Sequence, residues 1–378
     1  MHTYTKSPQL NILHVLTLVG RNGEYGGPVK VARELCKELN SRGHKTHIFS
    51  GAIVGSEPIP SCDLSESFVH VKPITQKLKI SSLWSWKLFL HLRKLIRDSD
   101  IVHIHFARDL IPFLTAFLSI IFRKPFVTQT HGMIISDNRF STRLIDTLMT
   151  RPLMNKSLTN LVLTQSELSA ISLLGIESPT QILPNGISVK PTKEFSIKSG
   201  NHVAFCSRLE SRKGVTKFIE LADSFRNSGI KFEIYGPDAG ELELVQNEIQ
   251  KRNLYGVLKY KGALSPDEVG VLLNKIDILV LPSENEPFPM VILESLAVGT
   301  AVLVMPSCGI AGNLSEFNNF FVSKSENFEG LRNCLMHLMK SPTPSHERRN
   351  IQEFCKNQFG ISEVCERLLI VYRKIKSL

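Results

Sequence analysis

Residues 276–299 constrain the fold of this chain more than any other stretch. Ile276 to Leu281 is an apolar run broken only by Asp277, and it reads as a buried strand. Glu286-Pro-Phe-Pro-Met-Val-Ile-Leu-Glu294 follows, then Ser295-Leu-Ala-Val, with Gly299 placed to end a helix at its C′ position. A buried strand that passes through a loop into a helix is half of a βαβ unit. The pattern puts Glu286 on the strand-to-helix loop and Glu294 on the first turns of the helix. Open α/β sheets bind ligands at such strand ends. A helix N-terminus adds unpaired N–H groups and a positive dipole end, which suit a phosphate. Carboxylate acceptors for hydroxyls beside donors for a diphosphate are what a nucleotide sugar requires. On these residues alone, a solvated Glu294 and a Glu286 that serves only the helix dipole fit equally well.

The rest of the chain repeats the alternation. Asn11 to Gly20 is an apolar strand, followed by a loop containing Gly26-Gly27, a helix to Ser41 and a strand from Lys45. Strands are predicted at Asp100–His105 and Phe126–Thr130, with an apolar helix over Leu110–Phe122 between them. His131-Gly132 stands at the end of the second of these strands. His103 and His105 lie inside the first and read as structural. A further strand over Leu161–Ser166 precedes Pro184-Asn185-Gly186-Ile187, and the polar segment 188–200 reads as a linker. The second half opens with the strand His202–Cys206 and then Ser207-Arg208-Leu-Glu-Ser-Arg-Lys213-Gly214. Two cations on a loop entering a helix make a diphosphate cradle. Lys231–Tyr235 is a strand ending at Gly236. Ser265-Pro-Asp-Glu268 is a capping box, and Ala301–Val304 is a strand. Three helices close the chain from Glu326 onward.

Taken together, the ordered set Gly26-Gly27, His131-Gly132, Asn185-Gly186, Arg208 with Lys213, and Glu286 with Glu294 resembles retaining GT-B glycosyltransferases of family 4. The resemblance runs from Asn11 to about Gln358. It implies two Rossmann-like β/α/β domains facing each other across a cleft. The expected division is an acceptor-side domain over 1–190, a donor-binding domain over 191–358, and a helix over 359–378 that crosses back to the first domain. It implies transfer of a sugar from a nucleotide-diphosphate donor to a hydroxyl of a growing glycan, with retention at the anomeric carbon. Arg208 and Lys213 then hold the diphosphate, Glu294 the ribose and Glu286 the hydroxyls of the donor sugar. His131 faces that sugar from the other domain. Gly236, Phe288, Met290 and Val291 complete the donor set, and Gly26 and Gly27 form an acceptor or phosphate loop. No metal cofactor is expected, because two cationic side chains can neutralise the leaving group. The single Asp-x-Asp, Asp98-Ser-Asp100, falls where a strand begins, at the wrong end for a ligand.

Charge bears on the acceptor. Residues 1–190 carry 22 Lys and Arg against 13 Asp and Glu, a net of +9, whereas 191–378 carry 23 against 22, a net of +1. Residues 67–97 contain no acid, and within them 81–97 reads as a basic helix holding both tryptophans of the chain. A basic aromatic helix suits an anionic membrane interface; packing on the sheet is the plainer reading. The expectation is a peripheral protein on the cytoplasmic face of the membrane with a lipid-linked glycan acceptor, as in lipopolysaccharide, capsule or exopolysaccharide synthesis. The seven cysteines are scattered without a Cys-x-x-Cys, which fits a reducing compartment. A nucleotide-sugar epimerase on the same fold and a non-catalytic polyanion binder are the competing classes. No nucleic-acid-binding motif is present to support the latter.

Overall fold

The computed structural model describes residues 8–20, 27–58, 62–74, 80–135, 139–190, 200–317, 321–340 and 343–374. Gly26 and most of the expected linker lie outside them. The chain forms two compact units, Met1–Gly186 with Ile361–Leu378, and Ile187–Gly360.

The first unit opens with β1 (Asn11–Leu18), α1 (Gly27–Ser41), β2 (Lys45–Ala52) and β3 (Glu66–His70). A small antiparallel ribbon of β4 (Lys72–Pro73) and β5 (Leu83–Trp84) precedes α2 (Trp86–Asp98). Then come β6 (Ile101–His105), α3 (Leu110–Ile121), β7 (Phe126–Gln129), α4 (Phe140–Ile145), a π-helical turn over Asp146–Thr150, α5 (Arg151–Met154), β8 (Asn160–Val162), α6 (Gln165–Leu173) and β9 (Thr180–Ile182). Its sheet has seven parallel strands in the order β3-β2-β1-β6-β7-β8-β9. The chain winds outward from β1 to one edge, then returns to β6 and winds to the other. The ends of β1 and β6 are therefore the topological switch point. All five residues of β6 are buried, as expected for a strand covered by helices on both faces.

The second unit holds β10 (His202–Cys206), α7 (Val215–Ser224), β11 (Lys231–Tyr235), α8 (Leu242–Lys251), β12 (Leu258–Tyr260), α9 (Pro266–Lys275), β13 (Ile278–Leu281), α10 (Met290–Ala297), β14 (Ala301–Val304), α11 (Ala311–Phe317), α12 (Phe328–Met339) and α13 (Ser345–Phe359). Its five parallel strands run β12-β11-β10-β13-β14, so its switch point lies between β10 and β13. The capping box at Ser265 and Glu268 forms in both directions. The last helix, α14 (Ile361–Arg373), belongs to the first unit and packs on α1.

One predicted helix is shorter than its pattern. Residues 81–97 read as continuous helix, but α2 begins only at Trp86. Leu83 and Trp84 pair instead with Pro73 and Lys72, and Leu83 enters the core. The basic stripe survives this correction. Leu88, Leu92 and Ile96 are buried against the sheet, whereas Lys87, His91 and Lys94 are exposed.

Candidate functional site

In the second unit the predicted donor residues gather at the tips of β10 and β13. After β10 the chain makes a single 3-10 turn, Ser211–Lys213, and enters α7 through Gly214. Gly214 has φ +77°, and a Cβ there would lie 2.2 Å from the Pro282 carbonyl oxygen. Only glycine lets this turn press against the end of β13. The Ser283 hydroxyl donates to the Lys213 carbonyl at 3.4 Å, and the Glu284 N–H donates to the Arg212 carbonyl at 3.3 Å. The two loops are thereby zipped together. Gly236, after β11, has φ +147°, and its Cβ would fall 1.8 Å from the Ser207 carbonyl oxygen. It lets the loop after β11 pass directly beneath Ser207 and Arg208.

This packing brings charges together. Lys213 Nζ donates to Glu286 Oε2 at 2.7 Å, and both residues are buried. Arg212 Nη1 stands 3.4 Å from the same oxygen. Arg208 is exposed at the rim, with Nη2 3.4 Å from Glu210. Glu294 is half-buried in the second turn of α10, and burial, with the Glu294 charge adding to it, pushes the Cys206 thiol at the tip of β10 up to about 12. Cys308, after β14, is likewise held at about 12, first by burial, with Glu286 adding to the rise. Both thiols stay protonated at neutral pH, so neither serves as a nucleophile.

Helix α10 starts at Met290 without a side-chain cap, and Met290 and Val291 are half-buried in its first turn. The Ile292 N–H already donates to the Pro289 carbonyl at 3.1 Å, which leaves the N–H groups of Met290 and Val291 to face an anion. Phe288 is buried edge-on against Phe359, with centroids 5.9 Å apart, and anchors the loop rather than lining an open surface. The far end of α10 is held by α13. The buried Arg348 donates from Nε to the Gly299 carbonyl at 3.0 Å and from Nη2 to the Val298 carbonyl at 3.2 Å, and Gln352 donates to the Ala297 carbonyl at 2.7 Å. These bonds satisfy carbonyls that a helix C-terminus leaves unpaired.

In the first unit, Gly27 is the first residue of α1. His131 sits just past the tip of β7 in a left-handed turn, with φ +49° there and +75° at Gly132. A non-glycine residue in this region costs about 1–3 kcal/mol. Glu167 supports the turn. Its Oε1 accepts from the Thr130 hydroxyl and the Gly132 N–H, and its Oε2 accepts from the Leu163 N–H. Burial raises the Glu167 pKa, and these three hydrogen bonds oppose that rise. His103 and His105 are buried inside β6, as their place in the strand predicts. The Asp100 carboxylate accepts from the Asn11 N–H at 2.8 Å, a use that belongs to the start of the strand. A cavity lined by Asn11, His44, Lys45 and Asp98 lies at this same end of the sheet, opposite the strand tips.

Three contributors were not singled out by sequence. Arg212 occupies a variable position of the loop pattern, and only the 3-10 turn aims it at Glu286. Glu167 sits in a Thr-x-x-Glu pattern and reads as a helix cap. Thr164 does accept from the Glu167 N–H at 3.2 Å, but the carboxylate goes to the His131 turn. Gly309 donates its N–H to the Glu286 carbonyl at 2.8 Å, a tie that the spacing of Gly309 and Gly312 does not reveal.

Two family models cover most of the chain. One, described as Glycosyl transferases group 1, matches residues 189–358, and the other, Glycosyltransferase Family 4, matches 25–190. A 2-deoxystreptamine glucosyltransferase of Streptomyces kanamyceticus is 22% identical over 190 residues, 48% of this chain and 48% of that protein. An N,N'-diacetylbacillosaminyl-diphospho-undecaprenol alpha-1,3-N-acetylgalactosaminyltransferase of Campylobacter jejuni is 28% identical over 153 residues, 39% of this chain and 38% of that protein. The chain thus spans less than half the length of these curated relatives. The HepE protein of Anabaena, solved in complex with UDP and glucose, superposes with a TM-score of 0.75 at 18% identity, covering 98% of this chain and 100% of that one. The fold, with its two Rossmann-like units, is GT-B. The chain belongs among the GT-B fold glycosyltransferases and is related to both model families, with neither singled out.

Proposed function

We propose that the chain transfers a sugar from a nucleotide-diphosphate sugar to a hydroxyl of a growing, lipid-linked glycan, with retention at the anomeric carbon. The observation that carries this reading is the Lys213–Glu286 pair, flanked by Arg212 and set against the uncapped start of α10. As the bond between sugar and diphosphate breaks, negative charge grows on the phosphate oxygens. Lys213, Arg208 and the α10 N–H groups stabilise that charge, an electrostatic contribution of the kind that is large in a dry site. Glu286 takes the donor-sugar hydroxyls, Glu294 takes the ribose, and His131 is the sugar-facing group of the first unit. Positioning two reactants together supplies much of the remaining rate. No resident metal is needed in this scheme.

Thermal shift with nucleotides and nucleotide sugars tests the donor side. Ligand binding to the folded state stabilises by about 2.7 kcal/mol at a hundredfold excess over Kd. Stabilisation by one nucleoside diphosphate, lost in Lys213→Ala and Glu294→Ala, is the expected result. No shift with any nucleotide sinks the reading. Donor turnover without an acceptor, yielding an isomerised sugar, would replace it with the epimerase class.

The lipid-linked acceptor is supported by the first unit's surface and by the name of the Campylobacter relative, which contains a diphospho-undecaprenol. Trp86 (67% exposed), Phe117 (52%) and Phe140 (82%) project apolar rings from the segment 1–190, whose net charge is +9. Such a surface suits the cytoplasmic face of an anionic bilayer. Among the described residues no helix is long and apolar enough to cross a membrane. Anionic liposomes are expected to sediment the protein at moderate salt and neutral ones to leave it in solution, with Trp86→Ser and Phe140→Ser weakening the effect. Equal recovery with both lipids overturns the membrane part alone.

A further inference from the structure

The helix that follows the His131 turn is built inside out. Helix α4, the π-helical turn and α5 form one continuous helix over residues 140–154, because the residues at both joins keep right-handed helical dihedrals. At a spacing of four, Thr142, Asp146 and Thr150 are buried, whereas Phe140, Leu144 and Leu148 are 82%, 47% and 63% exposed. A surface helix ordinarily does the reverse, with its apolar stripe on the core and its polar side in water. A four-residue step drifts by about 40° round an α-helix. The π turn, bonded i→i+5, is wider and takes up part of that drift. The apolar stripe therefore stays on one side. Ile145, Leu153 and Met154 pack inward and hold the helix to the first unit's core.

The inward polar side has a specific partner. Arg108, past the tip of β6, donates from Nε and Nη2 to the two carboxylate oxygens of Asp146 at 2.7 and 2.9 Å. The same guanidinium donates to the Met133 carbonyl at 3.3 Å and the Ile135 carbonyl at 2.8 Å. The helix is thereby pinned to the chain that leaves the His131 turn. Met133 and Ile135 are themselves exposed, so exposed apolar side chains begin two residues after His131.

The outward charge is of one sign. Arg139, Arg143 and Arg151 are exposed, and Asp146, the only acid in 139–154, is the buried one. Apolar side chains among exposed arginines complement a surface that is anionic at its face and apolar beneath. A second copy of the same helix would set like charges against each other. Helix α2 is less suited. Its basic stripe is exposed, but Leu88, Leu92 and Ile96 are spent on the sheet, which leaves Trp86 and Leu90 as its large exposed apolar side chains.

We propose that the helix over 140–154 lies in the interface of an anionic bilayer, with Phe140, Leu144 and Leu148 toward the acyl chains and Arg139, Arg143 and Arg151 at the lipid phosphates. This rests on the membrane part of the functional reading and names the element that carries it, a helix other than the one that charge singles out in the sequence. It sets the tip of β7 beside the lipid surface, where the sugar of a lipid-borne acceptor stands.

The test uses the full chain. Cys62 is exposed and the other six cysteines are buried, so Cys62→Ser provides a background without an accessible thiol. An environment-sensitive fluorophore is attached to Leu144→Cys, to Leu148→Cys and, as a control, to Leu173→Cys at the exposed end of α6. With vesicles of phosphatidylglycerol and phosphatidylcholine at moderate salt, the first two labels are expected to shift to the blue and to be quenched by nitroxide-bearing lipid, and the third to do neither. Leu144→Ser combined with Leu148→Ser should weaken vesicle partitioning at least about tenfold, the scale of two leucines leaving an apolar phase. The thermal shift given by a nucleoside diphosphate should not change in that variant. Protein that sediments with the vesicles while the label at 144 stays in water overturns the assignment and leaves the membrane reading to another surface. Protein that sediments with neither anionic nor neutral vesicles ends both, and the donor side is untouched. A dimer in lipid-free solution that shields the label at 144 gives the helix to a second copy and overturns the proposal as well.

Discussion

Acidification from about pH 7 to about pH 5 is expected to destabilise the first unit, by on the order of a few kcal/mol. Four buried histidines, His14, His103, His105 and His131, carry most of the effect, and His44 and His47, also held down first by burial, add to it. His103 is held at about 4 and His131 at about 3, both first by burial, and His14 and His105 lie well below 6.5 for the same reason. The sign follows from linkage. Below 6.5 the unfolded chain binds protons that the folded unit refuses, so stability is present above that value and is lost as pH falls toward the folded values. Each histidine kept neutral costs at most about 2 kcal/mol at about pH 5. Asp109 and Glu167 act in the opposite sense, because burial raises their pKa values and lets the folded unit take up protons first. They offset part of the loss. Tyr372 and Cys36, both raised by burial, remain protonated throughout and contribute nothing. A domain is stable by only about 5–15 kcal/mol, so a loss of this size is a large part of it.

The measurement is convenient because both tryptophans, Trp84 and Trp86, lie in the first unit. Urea titrations followed by tryptophan fluorescence across this pH range report that unit alone. His14→Phe keeps a ring stacked on His103 but removes one titrating group, and should reduce the pH slope by about 1.4 kcal/mol per pH unit. A urea midpoint that does not move between the two pH values would mean that these histidines admit protons while folded.

The sequence made the second unit's site more legible than the first unit's. Lys213, Gly214 and Glu286 lie on two loops that follow adjacent strands, and Glu294 on the helix after the second, so local strand-to-helix patterns were enough to place them there. What pattern could not give was direction. The pattern names Arg208, yet it is Arg212 that reaches Glu286, while Arg208 stands at the rim beside Glu210. The backbone of the 3-10 turn makes that choice, and a periodicity argument does not see it. In the first unit, His14 and His131 are 117 positions apart and are joined through His105 only because β1, β6 and β7 are neighbours in the sheet. Strand order is a long-range property, so the histidine cluster was invisible although three of its members were read correctly as strand or strand-end residues. Helix α2 failed in a different way. Its period was right, but a two-residue pairing of Leu83 and Trp84 with Lys72 and Pro73 outweighed helix propensity at its start.

Sugar transfer should fall by about 10²–10³ in Lys213→Met and should remain low when Glu286→Gln is added, even though the second change restores stability. The two partners are 2.7 Å apart with side chains 10% and 9% exposed, so either single substitution strands a charge in a poorly solvated place. Removing one member of such a pair costs about 3–5 kcal/mol when burial is complete. Lys213→Met should be the milder single change, because Arg212 remains 3.4 Å from Glu286. In the double variant no charge is stranded at this pair, and neutral side chains of similar volume fill the space. Its denaturation midpoint is expected near that of the unaltered protein. Activity should not follow, because on the proposed reading the lysine itself stabilises the leaving diphosphate. If the diphosphate binds Lys213 as proposed, the ammonium group, with three N–H donors, serves it alongside Glu286 or turns from one to the other. Glu286→Gln alone should therefore keep measurable diphosphate binding while losing transfer. A double variant that recovers transfer along with stability would show that the ion pair is a strut between two loops and that the diphosphate is held elsewhere.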